Sequence, residues 1–93
     1  MEWKIRIHQK ALKFLEELPS DKRSLVEGRL KELLEALGRG ILPYRRLDLR
    51  KLRGEWRGFL RMRVSDIRII LKTDFNTKTI YIYHIHYRGK AYK

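Results

Sequence analysis

Ninety-three residues suffice for one hydrophobic core and are too few for two, so residues 1–93 are expected to fold as a single domain. An apolar fraction of 43%, with ten Trp, Tyr and Phe, excludes the low-hydrophobicity regime in which chains stay disordered. Lys and Arg number 23 against 11 Asp and Glu, a net charge of +12 whose self-repulsion calls for an anionic partner, while the absence of cysteine excludes disulfides and thiolate chemistry.

Trp3, Ile5 and Ile7 alternate with Lys4, Arg6 and His8, the period-two pattern of a half-buried strand. From Ala11 the period lengthens: Ala11, Leu12, Leu15 and Leu18 recur at helical spacing until Pro19, which cannot continue a helix. Ser20 suits the N-cap of a second helix whose stripe is Leu25, Val26, Leu30, Leu33, Leu34 and Leu37, with Gly38 as its closing residue. Residues 39–58, punctuated by Gly40, Pro43, Gly54 and Gly58, read as a long arginine-rich loop. Three strands follow, 59–64, 67–73 and 79–87, joined through Ser65-Asp66 and through Asp74-Phe75-Asn76-Thr77. The order strand, helix, helix, strand, strand, strand predicts an α+β fold: one mainly antiparallel sheet with both helices packed on one face.

The pleat then sorts the side chains. With Leu60, Met62 and Val64 toward the helices, Phe59, Arg61 and Arg63 take the open face; with Ile67, Ile69 and Leu71 inward, Arg68, Ile70 and Lys72 join them. In the last strand both parities carry apolar residues. Tyr81, Tyr83, Ile85 and Tyr87 are read as inward, leaving Ile80, Ile82, His84, His86 and Arg88 outward. Arg45, Arg46, Arg50, Lys51, Arg53 and Arg57 would lie along the rim. A face of this kind suits RNA, because guanidinium groups hold phosphate oxygens through paired hydrogen bonds and the aromatics Trp56, Phe59 and Tyr92 offer stacking surfaces for unpaired bases.

Other chemistries find less support. Three histidines, no cysteine, and Asp48, Asp66 and Asp74 scattered in loops supply no metal-ligand spacing, so neither a metal nor another cofactor is expected. Ser20, Ser24 and Ser65 fall at cap, helix and turn positions, and Gly54 and Gly58 match no nucleotide-binding loop. The basic residues concentrate in the strand-and-loop half rather than along one helix face, against a membrane-surface role. With no charged-then-apolar leader and no long apolar run, a cytoplasmic protein is expected.

Taken together, Lys10-Ala11-Leu12 with Leu15 and Leu18, then Leu52-Arg53-Gly54, the central run from Leu60 to Ile70, and the closing Arg88-Gly89-Lys90-Ala91-Tyr92 make the chain similar to the RelE/ParE toxin superfamily, most of all its RelE-like branch. The resemblance covers essentially the whole chain, and its central run is the specific part. It implies the toxin of a toxin–antitoxin system: a metal-independent endoribonuclease that cuts messenger RNA in the ribosome and is neutralised by a cognate antitoxin protein. Carried over by position, it implies catalytic roles for Arg61, Arg63, Arg68, Arg88 and Tyr92. Two departures stand out. Arginine occupies positions 61 and 63, where well-studied members carry lysine, and Tyr87 separates His86 from Arg88.

Arginine is a poor proton shuttle at neutral pH, so Tyr92, His84 and His86 remain alternatives for proton transfer. A non-cleaving RNA- or ribosome-binding inhibitor and a ParE-like gyrase inhibitor stay open as other readings. If the basic face captures RNA electrostatically, affinity for single-stranded RNA should fall with a log–log salt slope of about −0.7 per phosphate neutralised. A salt titration of oligoribonucleotide binding checks this, and a flat response refutes it.

Overall fold

The structure, a computed structural model, describes residues 2–87. Strand β1, Lys4–Ile7, leads into helix α1, Gln9–Glu16, and helix α2, Ser20–Gly38. Strands β2, Leu49–Lys51, β3, Leu60–Val64, β4, Ile67–Asp74, and β5, Thr79–Tyr87, complete a five-stranded sheet in the order β1-β5-β4-β3-β2. All neighbours are antiparallel except β1, which runs parallel to β5. Among the described residues no helix is long and apolar enough to cross a membrane.

The helix boundaries follow local chemistry that the sequence reading placed one or two residues off. His8, assigned to the first strand, caps α1 instead, its Nδ1 accepting the Lys10 N–H at 3.2 Å. Pro19 occupies the N-cap of α2 and Ser20 is already helical, so the cap assigned to Ser20 is not formed. At the other end Arg39, not Gly38, is the C-cap, and Gly40 takes the left-handed backbone at φ +77°. The N–H groups of Gly40 and Ile41 return to the carbonyls of Leu37 and Ala36 at 2.9 Å, the paired bonds of a Schellman closure. The closure needs positive φ at the residue after the cap, which Gly40 adopts without a Cβ penalty.

Two larger corrections concern the sheet. The segment read as a continuous loop contains β2, whose Leu49, Arg50 and Lys51 pair with Met62, Arg61 and Leu60, and a short 3-10 turn at Gly54–Trp56. In β5 the parity changes midway. Ile70 faces His84 while Leu71 faces Ile82, so Tyr83 is an extra residue on β5, a β-bulge. Before the bulge Ile80 and Ile82 face the core; after it Ile85 and Tyr87 do. The expected inward Tyr81 and Tyr83 and outward Ile80 and Ile82 are therefore reversed, whereas His84 and His86 lie outward as expected. One inserted residue removes the conflict of a strand with apolar side chains at both parities.

Both helices pack on one face of the sheet, α1 over β5 and α2 against β3. Leu15, Val26, Leu30, Leu33 and Leu37 meet Met62, Val64, Ile67, Ile69, Leu71 and Ile82 in a continuous core. Ile70 is fully buried yet stands outside that cluster, on the opposite face in a row between Arg61 and His84. Replacing Met62, which has no exposed surface, with Ala should cost about 2–5 kcal/mol, read from the urea midpoint. Leu12→Ala, at a position 39% exposed, should cost about 1 kcal/mol or less.

Candidate functional site

Register brings the sheet-face arginines together. Arg50 stands directly opposite Arg61, and Arg63 directly opposite Arg68. Like charges facing one another across a strand pair are destabilising, and neutral or oppositely charged pairs would serve the sheet better. The rows continue onto β5, where Ile70 pairs with His84 and Arg68 with His86. The rows lie two residues apart on each strand, about 6.7 Å.

Arg61 is the best defined of these groups. Although it projects to the face the helices leave open, it is only 5% exposed. Its terminal nitrogen donates to Asp48 Oδ1 at 3.1 Å, and Asp48 Oδ2 lies 3.9 Å from Arg63 Nε. Asp48 precedes β2 with a left-handed backbone, φ 51°, which aspartate tolerates better than most residues, and its carbonyl accepts the Arg63 N–H at 3.3 Å. One carboxylate is thus shared by two arginines. Burial makes the Arg61 guanidinium easier to deprotonate than an ordinary arginine; Asp48 opposes this, and Arg63, Arg50 and Arg68 reinforce it. The Nε atoms of Arg61 and Arg63 are buried and have no hydrogen-bond partner among the described residues.

His86 faces the same region and titrates below its ordinary value of 6.5, first because it is partly buried, then because His84 and Arg68 disfavour a further positive charge; its contact with the Tyr87 carbonyl opposes the shift. A neutral imidazole at physiological pH follows.

The rim residues do not form one surface. Arg50 belongs to the sheet-face rows, while Arg46 turns to α2, its Nε 3.5 Å from Glu32. Lys51 pairs with Leu60 and so lies on the helix side of the edge. With Arg53 and Arg57 it lines a cleft of about 850 Å³ that also includes Leu42, Tyr44 and Phe59. Arg45 is exposed on the loop before β2. Arg88 and Tyr92 lie outside the described residues. Among the described residues no three of His, Asp and Glu come together.

Sequence reasoning passed over two contributors. Asp48, by sequence a scattered loop acid, closes the turn before β2, and no local pattern marks it because its arginine partners lie on β3. Tyr83 was assigned to the core; instead it packs edge-on against Phe59, ring centroids 4.8 Å apart, and Phe59 and His84 both contact Trp56 at 5.3 and 5.4 Å.

The result is a small basic α+β protein with helices backing one sheet face and opposed arginine pairs on the other. No family model matches the chain. It is 29% identical to toxin RelE1 of Methanocaldococcus jannaschii over 93 residues, covering 100% of this chain and 98% of that protein. Its fold matches the archaeal RelE–RelB complex of Pyrococcus horikoshii with a TM-score of 0.71 at 29% identity, covering 98% of this chain and 100% of that one. The isolated Escherichia coli RelE toxin shares the fold at 18% identity, TM-score 0.72, over 98% of this chain and 88% of that one. Over its full length the chain is thus similar to archaeal RelE proteins in both sequence and fold.

Asp48→Ala should leave the buried Arg61 charge without its carboxylate and destabilise the protein by about 1–3 kcal/mol in a urea titration. Adding Arg61→Met should recover most of that loss, because the uncompensated charge is then gone. An Asp48→Ala protein as stable as wild type would show that the ion pair does not secure Arg61.

Proposed function

We propose that this protein is a ribosome-dependent endoribonuclease that stops translation by cutting messenger RNA without a metal, and that a RelB-like antitoxin holds it inactive in the cytoplasm. The observation that carries this reading is the pair of directly opposed arginine couples, Arg50 with Arg61 and Arg63 with Arg68, on the sheet face opposite the helices. Their repulsion is relieved when a phosphate sits between them.

In the proposed reaction the 2′-hydroxyl of one nucleotide attacks the adjacent phosphorus. The O2′–P bond forms, the P–O5′ bond breaks, a base takes the 2′ proton and an acid supplies one to the leaving 5′ oxygen. Arg61, Arg63 and Arg68 stabilise the charge that builds on the phosphorane oxygens, and Arg88 joins them by family resemblance. Tyr92 has a role in proton transfer by the same resemblance. His84 and His86 are the alternatives on the described face, and the lowered affinity of His86 for a proton favours it as the base.

The antitoxin reading rests on the P. horikoshii relative, whose structure is a complex with RelB. With a net charge of +12, an acidic or amphipathic segment is the complementary partner. Arginine at both positions 61 and 63 of β3 supports a second reading, a toxin that grips ribosomal or messenger RNA without cutting, because neither residue moves protons readily.

Arg68→Ala and Arg88→Ala should each lower cleavage about 10²- to 10³-fold and relieve growth arrest, the loss that follows deletion of one preorganised donor. Primer extension on messenger RNA from expressing cells, run beside a gyrase-cleavage assay, checks this. A folded Arg68→Ala protein that cuts at the wild-type rate would sink the site, arrest without cuts would favour the non-cleaving reading, and gyrase cleavage would favour the ParE-like one.

A further inference from the structure

The arginine rows account for a phosphate and leave unexplained what stands beyond them on the same face. Lys72 follows Ile70 outward along β4 and pairs with Tyr81, two residues beyond the Arg61 row. Lys72, Tyr81 and Tyr83 line a cleft of about 470 Å³ that is closed at the β4–β5 turn by Phe75 and Asn76. That volume falls within the range of small-ligand sites.

Tyr83 and His84 share the open face because of the bulge. In a regular strand, residues 83 and 84 would point to opposite faces; the inserted residue lets the Tyr83 ring meet Phe59 while His84 meets Trp56. Phe59 braces the Tyr83 ring edge-on at an interplanar angle of 85°, and Lys72 Nζ lies 5.6 Å from the Phe59 centroid. Tyr83 nonetheless stays 36% exposed. A braced, partly exposed tyrosine beside a lysine offers a stacking surface whose ordering has little entropic cost. Asn76 adds an amide able to donate to and accept from a base edge. Asp74, the acid at this end, has Oδ1 committed to the turn, accepting the Asn76 and Thr77 N–H groups at 2.9 and 3.2 Å.

We propose that this cleft binds one unpaired base of single-stranded RNA, stacked on Tyr83, while the phosphates that follow lie on the arginine rows. From Arg68 to Lys72 the face runs about 13 Å, a distance that a short extended stretch of RNA covers. The base in the cleft is therefore a neighbour of the scissile nucleotide rather than part of it, and the cleft selects where along a message the cut falls. This rests on the RNA-directed reading above and adds a specificity subsite to it.

The test is equilibrium binding of a short single-stranded oligoribonucleotide, compared with the same RNA carrying one abasic position at each place in turn. Wild-type affinity should drop roughly tenfold or more at one position, on the scale of a lost stacked base. Tyr83→Ala should bind intact RNA more weakly by a similar factor and lose its sensitivity to that position, with its salt slope unchanged because no charge has been removed. Tyr83→Phe should behave as wild type. A flat abasic scan with salt-dependent wild-type binding would overturn the cleft and leave the basic-face reading standing. An absence of salt-dependent binding by wild type would overturn both. Loss of antitoxin binding in Tyr83→Ala, with RNA binding intact, would reassign the cleft to a protein partner and overturn the proposal.

Discussion

Arginines opposed across strand pairs are the constraint around which the open face is organised. Each couple adds like-charge repulsion to a sheet whose stability comes from the apolar residues on its other side. The molecule manages this in two ways. Asp48 shares its carboxylate between Arg61 and Arg63, and the neutral state favoured at His86 avoids another charge beside Arg68. Neither device removes the positive field. They hold it in a defined shape, so a ligand anion meets donors already in place rather than flexible side chains that must first be ordered.

That arrangement depends on the core beneath it. Met62, Ile69 and Ile85 form the inward row between the arginine rows and fix the pleat, so the guanidinium groups keep their spacing. Ile70 adds an apolar floor within the open face itself, covered although no helix reaches it. At the far side the hairpin between β3 and β4 is tied to the start of α2 through Lys22 and Asp66, 2.9 Å apart, which links the helix layer to the strands that carry Arg63 and Arg68.

The bulge at Tyr83 connects fold to recognition. A regular β5 continuing the parity of Ile80 and Ile82 would turn His84 and His86 into the core and leave Ile85 on the open face. With one extra residue, aromatic rings from β5, from the start of β3 and from the 3-10 turn converge beside the charged rows. Under the proposed reading, such a surface would favour single-stranded nucleic acid over other polyanions, because stacking adds a contribution that charge alone cannot. Bulges recur where a strand must re-aim a side chain, and this one re-aims two.

The sequence by itself determined the α+β class, the order of the helices and of every strand but β2, and the inward faces of β3 and β4, because unbroken alternation such as Leu60, Met62, Val64 admits a single parity. It also placed Arg61, Arg63 and Arg68 on one face, since pleating alone separates them from their buried neighbours. It did not reveal β2, whose three residues are too few for periodicity to register and whose existence depends on pairing with β3. Nor did it reveal the Tyr83 bulge, because a strand with apolar residues at both parities is compatible with either face until its partner sets the register. The tertiary structure alone decided that Arg50 opposes Arg61, that Asp48 bridges two arginines, and that Arg46 turns toward Glu32 rather than the sheet. Such pairings join residues distant along the chain, and local pattern carries no information about which strands become neighbours.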